Sequence, residues 1–466
     1  MHLGQHKSST SQKTSDSQSG TIIYVIALLG IIAIIIVLVL YRIKSHAFID
    51  TASSEKYPEV IYTHCSDKPL NRPARQAFST LGINFISPSE LDVLAQQPIN
   101  RPLKIIYIPC SYNNSDWDIQ GFLRDYSSSG KLSMVYIAAI LGCNKLCAKN
   151  DLWSVLERTY GRQKARCITP ESWVIPVQSI AFRKQMRKTL DTGQAFILKK
   201  NIQGKQGLLL TNSHEILDRL TSESTSESVE KSSGDKYAVV QRYLAQPYLV
   251  SGRKLNIRLY ILVVISQETP NPEWWLYTAG KCIYTNREYQ PLAADTTIKS
   301  GSPDDMPLLE QHFTSLNLDS NQVYSIDRCP ETLGELSAHM SGRGEDWSGI
   351  WQKIQLGLRK VAIAYKDKLS VPQGVATAYQ LFGADYIIDA INNDLSDGFS
   401  GTPYLLEFNK GPEMKYKSPK DPELKSGLQQ AVLELVLGHK PEPTKWILLN
   451  SVNKSKQTKT TKHKSE

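Results

Sequence analysis

No cysteine or histidine pattern in this chain builds a structural framework. Seven cysteines among 466 residues (Cys65, Cys110, Cys143, Cys147, Cys167, Cys282 and Cys329) stand at spacings that match neither a disulfide scaffold nor a zinc site. Such an odd, dispersed set suits a reducing compartment, with the thiols as buried apolar groups. The nine histidines are equally scattered, no pair lies at ligand spacing beside an acid, and none is given a role. No Ser/His/Asp or Cys/His constellation offers a side-chain nucleophile. No zinc finger, RNP signature or other nucleic-acid module accompanies the net charge of +9, so nucleic acid is not an expected partner. A tight P-loop pattern and internal repeats are also missing.

What is present is a globular composition. With 41% hydrophobic and 21% charged residues, a substantial core is expected, and the length accommodates two or three domains. The basic balance suits an acidic protein tail through long-range steering. Residues 1–20 are Ser/Thr/Gln-rich and read as a disordered tail. Residues 21–41 open with an uncharged run of about 20 residues, long enough to cross a bilayer of roughly 30 Å as a single-pass transmembrane helix. Arg42 and Lys44 follow it directly, so a membrane protein with its main domain facing the cytosol is expected. A linker over 42–56, a small N-terminal α/β domain over 57–132, a larger domain over 133–440 and a basic disordered tail over 441–466 complete the expected organisation. Thr221–Asp235 is low-complexity and reads as a loop.

Two acidic strands carry the most chemistry. Leu381-Phe-Gly-Ala-Asp385-Tyr-Ile-Ile-Asp389 and Leu405-Leu-Glu407-Phe-Asn409 set polar groups into apolar runs. Alternation puts Asp385 and Asp389 on one face, and Glu407 and Asn409 on one face. If the strands pair, three carboxylates and an amide converge, a set that suits Mg²⁺. A strand pair with one solvated edge gives the same pattern.

A basic alternation lies upstream. Along Gly252-Arg-Lys254-Leu-Asn256-Ile-Arg258-Leu-Tyr-Ile-Leu-Val-Val264, Lys254, Asn256 and Arg258 share one face and Leu255, Ile257 and Leu259 the other. This is either a phosphate cradle or a solvated sheet face. The strand Ala195-Phe-Ile-Leu-Lys199-Lys200 runs into Gly204 and Gly207 around Lys205, and Ala238-Val-Val-Gln241-Arg242-Tyr243-Leu244 is a further apolar strand with a polar end.

The order of these pieces resembles the tubulin–tyrosine ligase-like family, of the ATP-grasp superfamily of carboxylate–amine ligases, over roughly residues 145 to 437. The resemblance implies an α/β (α+β) ATP-grasp fold, with ATP and Mg²⁺ as cofactors. It implies Lys149 as an early nucleotide contact and Lys199 as the lysine reaching the α/β-phosphates. By the same resemblance Gln241, Arg242, Tyr243 and Leu244 are the hinge that holds adenine, and Thr297, with Thr296, lies near the γ-phosphate. Lys254 and Arg258 are implied as the catalytic basic pair, with Asn256 beside the ribose and phosphates. Asp385, Glu407 and Asn409 are implied as Mg²⁺ ligands. Three departures stand out: Asn256 replaces an aspartate, Lys200 replaces a proline, and the arginine after the Trp274-Trp275-Leu-Tyr277 strand has no clear counterpart in Lys281-Cys-Ile-Tyr284.

The implied reaction is acyl activation, in which a carboxylate takes the γ-phosphate of ATP and the acyl phosphate is then attacked by an amine. Positioning and charge neutralisation carry such chemistry, which matches the absence of a nucleophile constellation. The expected function is addition of a free amino acid (tyrosine, glutamate or glycine) to a protein acceptor, with tubulin's acidic tail favoured. Two alternatives are a catalytically impaired nucleotide-binding adaptor tethered to a membrane, and an ATP-grasp ligase for a small-molecule or peptide acceptor.

Overall fold

Alternation along two long central strands sets the architecture. The computed structural model describes residues 60–64, 70–96, 103–109, 120–124, 132–189, 192–201, 207–223, 236–269, 271–314, 329–390 and 401–450, within a unit spanning Pro58–Glu466. In chain order the strands are β1 Val60–His64, β2 Asn84–Phe85, β3 Leu103–Ile108, β4 Leu132–Ile137, β5 Ser172–Val174, β6 Phe196–Lys199, β7 Leu208–Thr211 and β8 Val239–Arg242. They continue as β9 Leu249–Val250, β10 Arg253–Ser266, β11 Glu273–Tyr277, β12 Lys281–Tyr284, β13 Thr297–Lys299, β14 Thr377–Asp389, β15 Thr402–Lys410 and β16 Trp446–Leu448.

β10 and β14 run antiparallel from Ile257↔Tyr386 to Ser266↔Thr377 and form the spine of the larger sheet. β11 and β12 pair with β10, and β15 pairs with β14. β4 joins β14 in parallel and continues into parallel β3, β1 and β2. The α/β segment expected over 57–132 therefore extends the same sheet as the rest of the unit. The smaller sheet is antiparallel throughout, in the order β13-β7-β6-β8-β5. This mixed α/β arrangement is consistent with the expected ATP-grasp architecture.

The core follows from the period-two pattern. Leu255, Ile257, Leu259, Ile261 and Val263 of β10 and Phe382, Ala384 and Tyr386 of β14 pack against Ile350, Ile354, Leu358 and Val361. Those four recur at helical spacing along the helix Trp347–Tyr365, whose N-cap Asp346 accepts from the Gly349 amide at 2.8 Å. Burying each such side chain is worth roughly 1.5–3 kcal/mol. The opposite face changes character along the strand. Tyr260 and Leu262, with Tyr379 and Leu381, lie under Leu428, Ala431 and Val432 of the helix Asp421–Val436 and Phe78 of the helix Arg72–Thr80. Where that cover ends, the same face of β10 carries Lys254, Asn256 and Arg258.

Arg162 fastens the helix Lys149–Tyr160 to the smaller sheet. Its guanidinium lies 5.2 Å from the ring centroid of Trp153 and 4.6 Å from that of Trp173. It also donates to Glu157 Oε1 at 2.6 Å, Glu171 Oε1 at 2.8 Å and the Ser172 carbonyl at 2.9 Å.

Several expectations change. The expected transmembrane helix over 21–41, and the membrane-anchored, cytosol-facing placement built on it, are withdrawn. Among the described residues no helix is long and apolar enough to cross a membrane, and 21–41 lies outside those residues. An uncharged run of spanning length is a necessary condition for an anchor and not a sufficient one. The tail expected from 441 begins too early: Trp446–Leu448 pairs with β11 as β16, and Trp446 is buried against Tyr277 with ring centroids 5.0 Å apart. The lysine-rich composition that follows concealed one buried aromatic. The helix Asp421–Val436 opens on Asp421, Pro422 and Glu423, a favourable first turn. The 1–20 and 42–56 segments, residues 224–235 of the low-complexity loop and residues 451–466 lie outside the described residues.

Replacing Arg162 with alanine is expected to destabilise the protein by about 2 kcal/mol, because two stacking contacts and three charge-assisted bonds disappear together. Arg162→Lys should recover only part, since an ammonium lacks the planar fork. Denaturant unfolding checks this, and an unchanged midpoint for Arg162→Ala would refute it.

Candidate active site

Strand register lines up four charged residues across the larger sheet. Lys281 on β12 stands opposite Arg258 on β10, Arg258 opposite Asp385 on β14, and Asp385 opposite Glu407 on β15. Directly opposed residues of antiparallel strands share a face, so the row is one rung of two cations and two carboxylates. Arg258 grips Asp385 with both prongs, Nε to Oδ1 at 2.5 Å and Nη2 to Oδ2 at 2.8 Å. Burial alone would lower the Arg258 pKa, but the Asp385 carboxylate more than offsets it and holds the guanidinium firmly charged. Asn409 donates to Asp385 Oδ2 at 3.1 Å and to Glu407 Oε1 at 3.3 Å. Lys149, the first residue of its helix, brings Nζ to 3.9 Å from Glu407 Oε2.

A bulge makes this convergence possible. The β14–β15 register shifts between Asp385 and Tyr386, leaving Leu406 as the extra residue. Leu405 and Phe408 thereby both enter the core, while Glu407 and Asn409 keep the opposite face.

Two lysines are buried without an ion-pair partner among the described residues. Lys199 Nζ donates to Gln241 Oε1 at 2.8 Å, and Gln241 Nε2 in turn donates to Ser172 Oγ at 2.9 Å. Lys254 Nζ donates to Tyr243 Oη at 3.2 Å and lies 4.5 Å from the centre of that ring. Burial pulls the Lys199 pKa down to about 8. Burial, aided by the nearby Lys199 charge, pulls Lys254 down to about 7. Glu407 is within electrostatic reach of Lys199 and acts in the opposite sense. At the segment expected to act as the hinge, Arg242 and Leu244 line a cavity of about 270 Å³ with Arg166, Cys167, Pro170, Glu171 and Tyr404.

The structure therefore brings together Lys149, Lys199, Gln241, Tyr243, Lys254, Arg258, Asp385, Glu407 and Asn409, with Arg242 and Leu244 at the cavity. It does not bring in Thr297, whose hydroxyl lies 2.7 Å from that of Thr211. Ile298 takes the β13 face that packs with Ile197, so alternation turns Thr297 away from Lys199. Nor is Asp389 a third carboxylate of the cluster. It pairs with Thr402 at the far end of β14, and among the described residues no three His, Cys, Asp or Glu side chains gather as a metal group.

Lys281, the one cation on β12, does not replace the arginine missing from that strand. Its Nζ turns to Asp421 Oδ1 at 2.7 Å and lies 3.6 Å from Glu331 Oε1. Asp421 is fully buried and also pairs with Lys425 at 3.0 Å. Sequence reasoning missed this network, since Lys281 and Glu331 lie far in the chain from Asp421 and Lys425. It also missed His312, which is buried and has Nδ1 3.0 Å from Tyr243 Oη; a lone histidine on a short helix carries no spacing signal.

The donor set fits a nucleotide with a divalent ion. Buried lysines lacking an anion call for one. The buried Asn256 Oδ1 has no hydrogen-bond partner among the described residues and calls for a donor, such as a hydroxyl or a cation's water. Mg²⁺ is usually held by one or two carboxylates plus substrate phosphates, so Asp385 and Glu407 suffice, with the Asn409 amide beside them.

A family model described as the tubulin-tyrosine ligase family matches residues 128–444. The chain is 26% identical over 286 residues to a probable beta-tubulin polyglutamylase of Tetrahymena thermophila, covering 57% of this chain and 21% of that protein. It is 26% identical over 318 residues to the probable tubulin polyglutamylase TTLL9 of Rattus norvegicus, covering 60% and 62% respectively. It is 25% identical over 256 residues to the inactive polyglycylase TTLL10 of Homo sapiens, covering 53% and 35%. The matched part thus spans between about a fifth and three fifths of these relatives' own length.

The buried lysines make stability pH-dependent in a defined direction. Unfolded, both titrate near 10.4; folded, they titrate at about 8 and about 7. Between those limits the unfolded chain binds more protons, so their contribution to stability rises with pH. Below pH 7 the whole cost of burying the Lys254 ammonium is present. Lys254→Met should therefore be more stable than the parent at pH 6, with the gap closing as pH rises from 7 towards 10. Denaturant unfolding across that range would disprove this by giving a gap that is independent of pH.

Proposed function

Because the chain belongs to the tubulin–tyrosine ligase family, we propose that it is an ATP- and Mg²⁺-dependent amide-forming ligase that adds an amino acid to a protein acceptor. The observation that supports this reading is the meeting of two buried lysines, one from each sheet and each bonded only to neutral groups among the described residues, with the Asp385–Glu407–Asn409 group. Cations that lower their own proton affinity by burial are poor structural elements and good receptors for polyphosphate.

In this reading the hinge Gln241–Leu244 takes the adenine end, beside the cavity. Lys149, Lys199 and Lys254 face the phosphates, and the orphan Asn256 oxygen receives a hydroxyl or a metal-bound water. Mg²⁺, when bound by Asp385, Glu407 and Asn409, supplies charge to the transferring phosphoryl group. Arg258 holds Asp385 in place and presents its own charge to the same space. The acceptor or donor carboxylate becomes an acyl phosphate and then an amide, with no nucleophile demanded of the protein.

Relatives named as polyglutamylases support glutamate as the added residue and a tubulin tail as the acceptor. Glycine is the next choice, and tyrosine has the least support. A second reading, a nucleotide-binding protein without turnover, is favoured by one relative named as inactive and by Asn256 and Ile283 standing opposite each other on β10 and β12. That rung has no charged group where the family has an aspartate on the first strand.

ADP release from Mg·ATP, measured with purified tubulin and each of the twenty amino acids, separates the readings. Release that depends on both tubulin and glutamate is the expected result. Binding of ATP without release under every combination would establish the second reading. Glu407→Gln should lower turnover by at least about 10²-fold at an unchanged unfolding midpoint; full activity would overturn the metal assignment.

A further inference from the structure

Lys254 is held by a buried polar chain that the proposed chemistry does not use. The Tyr243 hydroxyl sits between Lys254 Nζ at 3.2 Å and His312 Nδ1 at 3.0 Å. Tyr289 closes the other side, its ring 5.4 Å from that of His312 and its hydroxyl donating to the Ala245 carbonyl at 2.6 Å. His312 ends the helix Met306–His312, which Glu310 ties back to Arg287 at 2.8 Å. All three members of the chain, Lys254, Tyr243 and His312, are buried.

An ammonium can only donate. With Lys254 charged, the Tyr243 oxygen must accept from it, and the Tyr243 proton must go elsewhere. Nδ1 of a neutral His312 is one acceptor at hydrogen-bond distance, beside the Tyr289 hydroxyl that also bonds Tyr243, and burial keeps His312 neutral by lowering its pKa to about 4. Lys199 is the charged group nearest in effect, and it opposes the Lys254 charge. No carboxylate pairs with Lys254 among the described residues, so this chain is what compensates its ammonium before any anion arrives.

We propose that His312, acting through Tyr243, is a positioning residue that orients Lys254 and favours its charged form, so that the phosphate end of the site is set by a side chain anchored on the hinge. Tyr243 belongs to the hinge Gln241–Leu244, and its backbone amide bonds to the Ala195 carbonyl at 3.0 Å. The base end and the phosphate end thus share one residue. The inference rests on the reading of the site as a nucleotide site.

The test is calorimetric titration of ATP into the full-length protein at pH 6, 7 and 8, in pairs of buffers with different ionisation heats. Differences between variants cancel the titration of ATP itself. The parent should bind ATP with proton uptake near pH 7. His312→Phe keeps the ring and removes the acceptor. It should bind about tenfold more weakly at pH 8 and within about twofold of the parent at pH 6, the loss expected for one buried hydrogen bond to a charged chain. His312→Asn returns an oxygen near the Nδ1 position and should restore most of the affinity at pH 8. A loss of equal size at every pH, unrescued by asparagine, would reduce His312 to a packing role and overturn the inference. Parent binding with proton uptake and an unchanged His312→Phe profile would overturn the inference alone. Absence of ATP binding by the parent would remove the site reading and the inference together.

Discussion

The pairing of β10 with β14 is the constraint from which the rest follows. A central strand must bury one face fully, and Leu255, Ile257, Leu259 and Ile261 do so against Ile350, Ile354 and Leu358. Period two then dictates that Lys254, Asn256 and Arg258 share the other face. Register completes the result: once Ile257 faces Tyr386 on β14, Arg258 faces Asp385 on that strand. A slip of one residue would send every charge in this row into the core, a penalty far larger than any single contact here. The site is therefore as strongly specified as the hydrophobic core behind it.

The Arg258–Asp385 pair also explains how the fold tolerates so much charge in a half-buried place. A bidentate pair in low dielectric recovers much of the desolvation cost of both partners, whereas an isolated buried ion does not. Lys199 and Lys254 receive only neutral partners, an amide and a phenol, and their proton affinity falls accordingly. The contrast separates two roles within one cluster. Paired charges build the frame, and underpaired ones are left to interact with what enters.

Much of this was legible in the chain. The alternation of Lys254, Asn256 and Arg258, and of Glu407 and Asn409, read directly as strand faces. What escaped reading shares a physical cause: it depends on contacts between residues remote in sequence. Asp389 obeys the same alternation as Asp385, yet a strand of that length carries its two ends to different neighbours. Thr297 was placed by loose correspondence, and the packing of Ile298 on the Lys199 face of the smaller sheet turns it to the other face, against Thr211. The bulge at Leu406 is silent in composition, although without it either Leu405 or Glu407 would face the wrong way. The Lys281–Asp421 pair joins a strand and a helix that no local pattern connects, and Trp446 was hidden by the lysines around it.

That network bears on why β12 departs from the family pattern. Lys281 stands on the same rung as Arg258, yet two cations side by side repel, and the Lys281 ammonium is held by Asp421 and Glu331 instead. The sheet thereby keeps Arg258 as the sole cation facing Asp385. Two residues along, Asn256 faces Ile283, so the rung nearest the lysines holds no charge at all. Loss of a negative group there removes a local partner for Lys254 and leaves its ammonium to Tyr243 and His312. A neutral rung beside an underpaired lysine makes Lys254 more dependent on that hydrogen-bonded chain than a charged rung would. The departure at Asn256 and the buried histidine are, on this argument, two parts of one electrostatic arrangement.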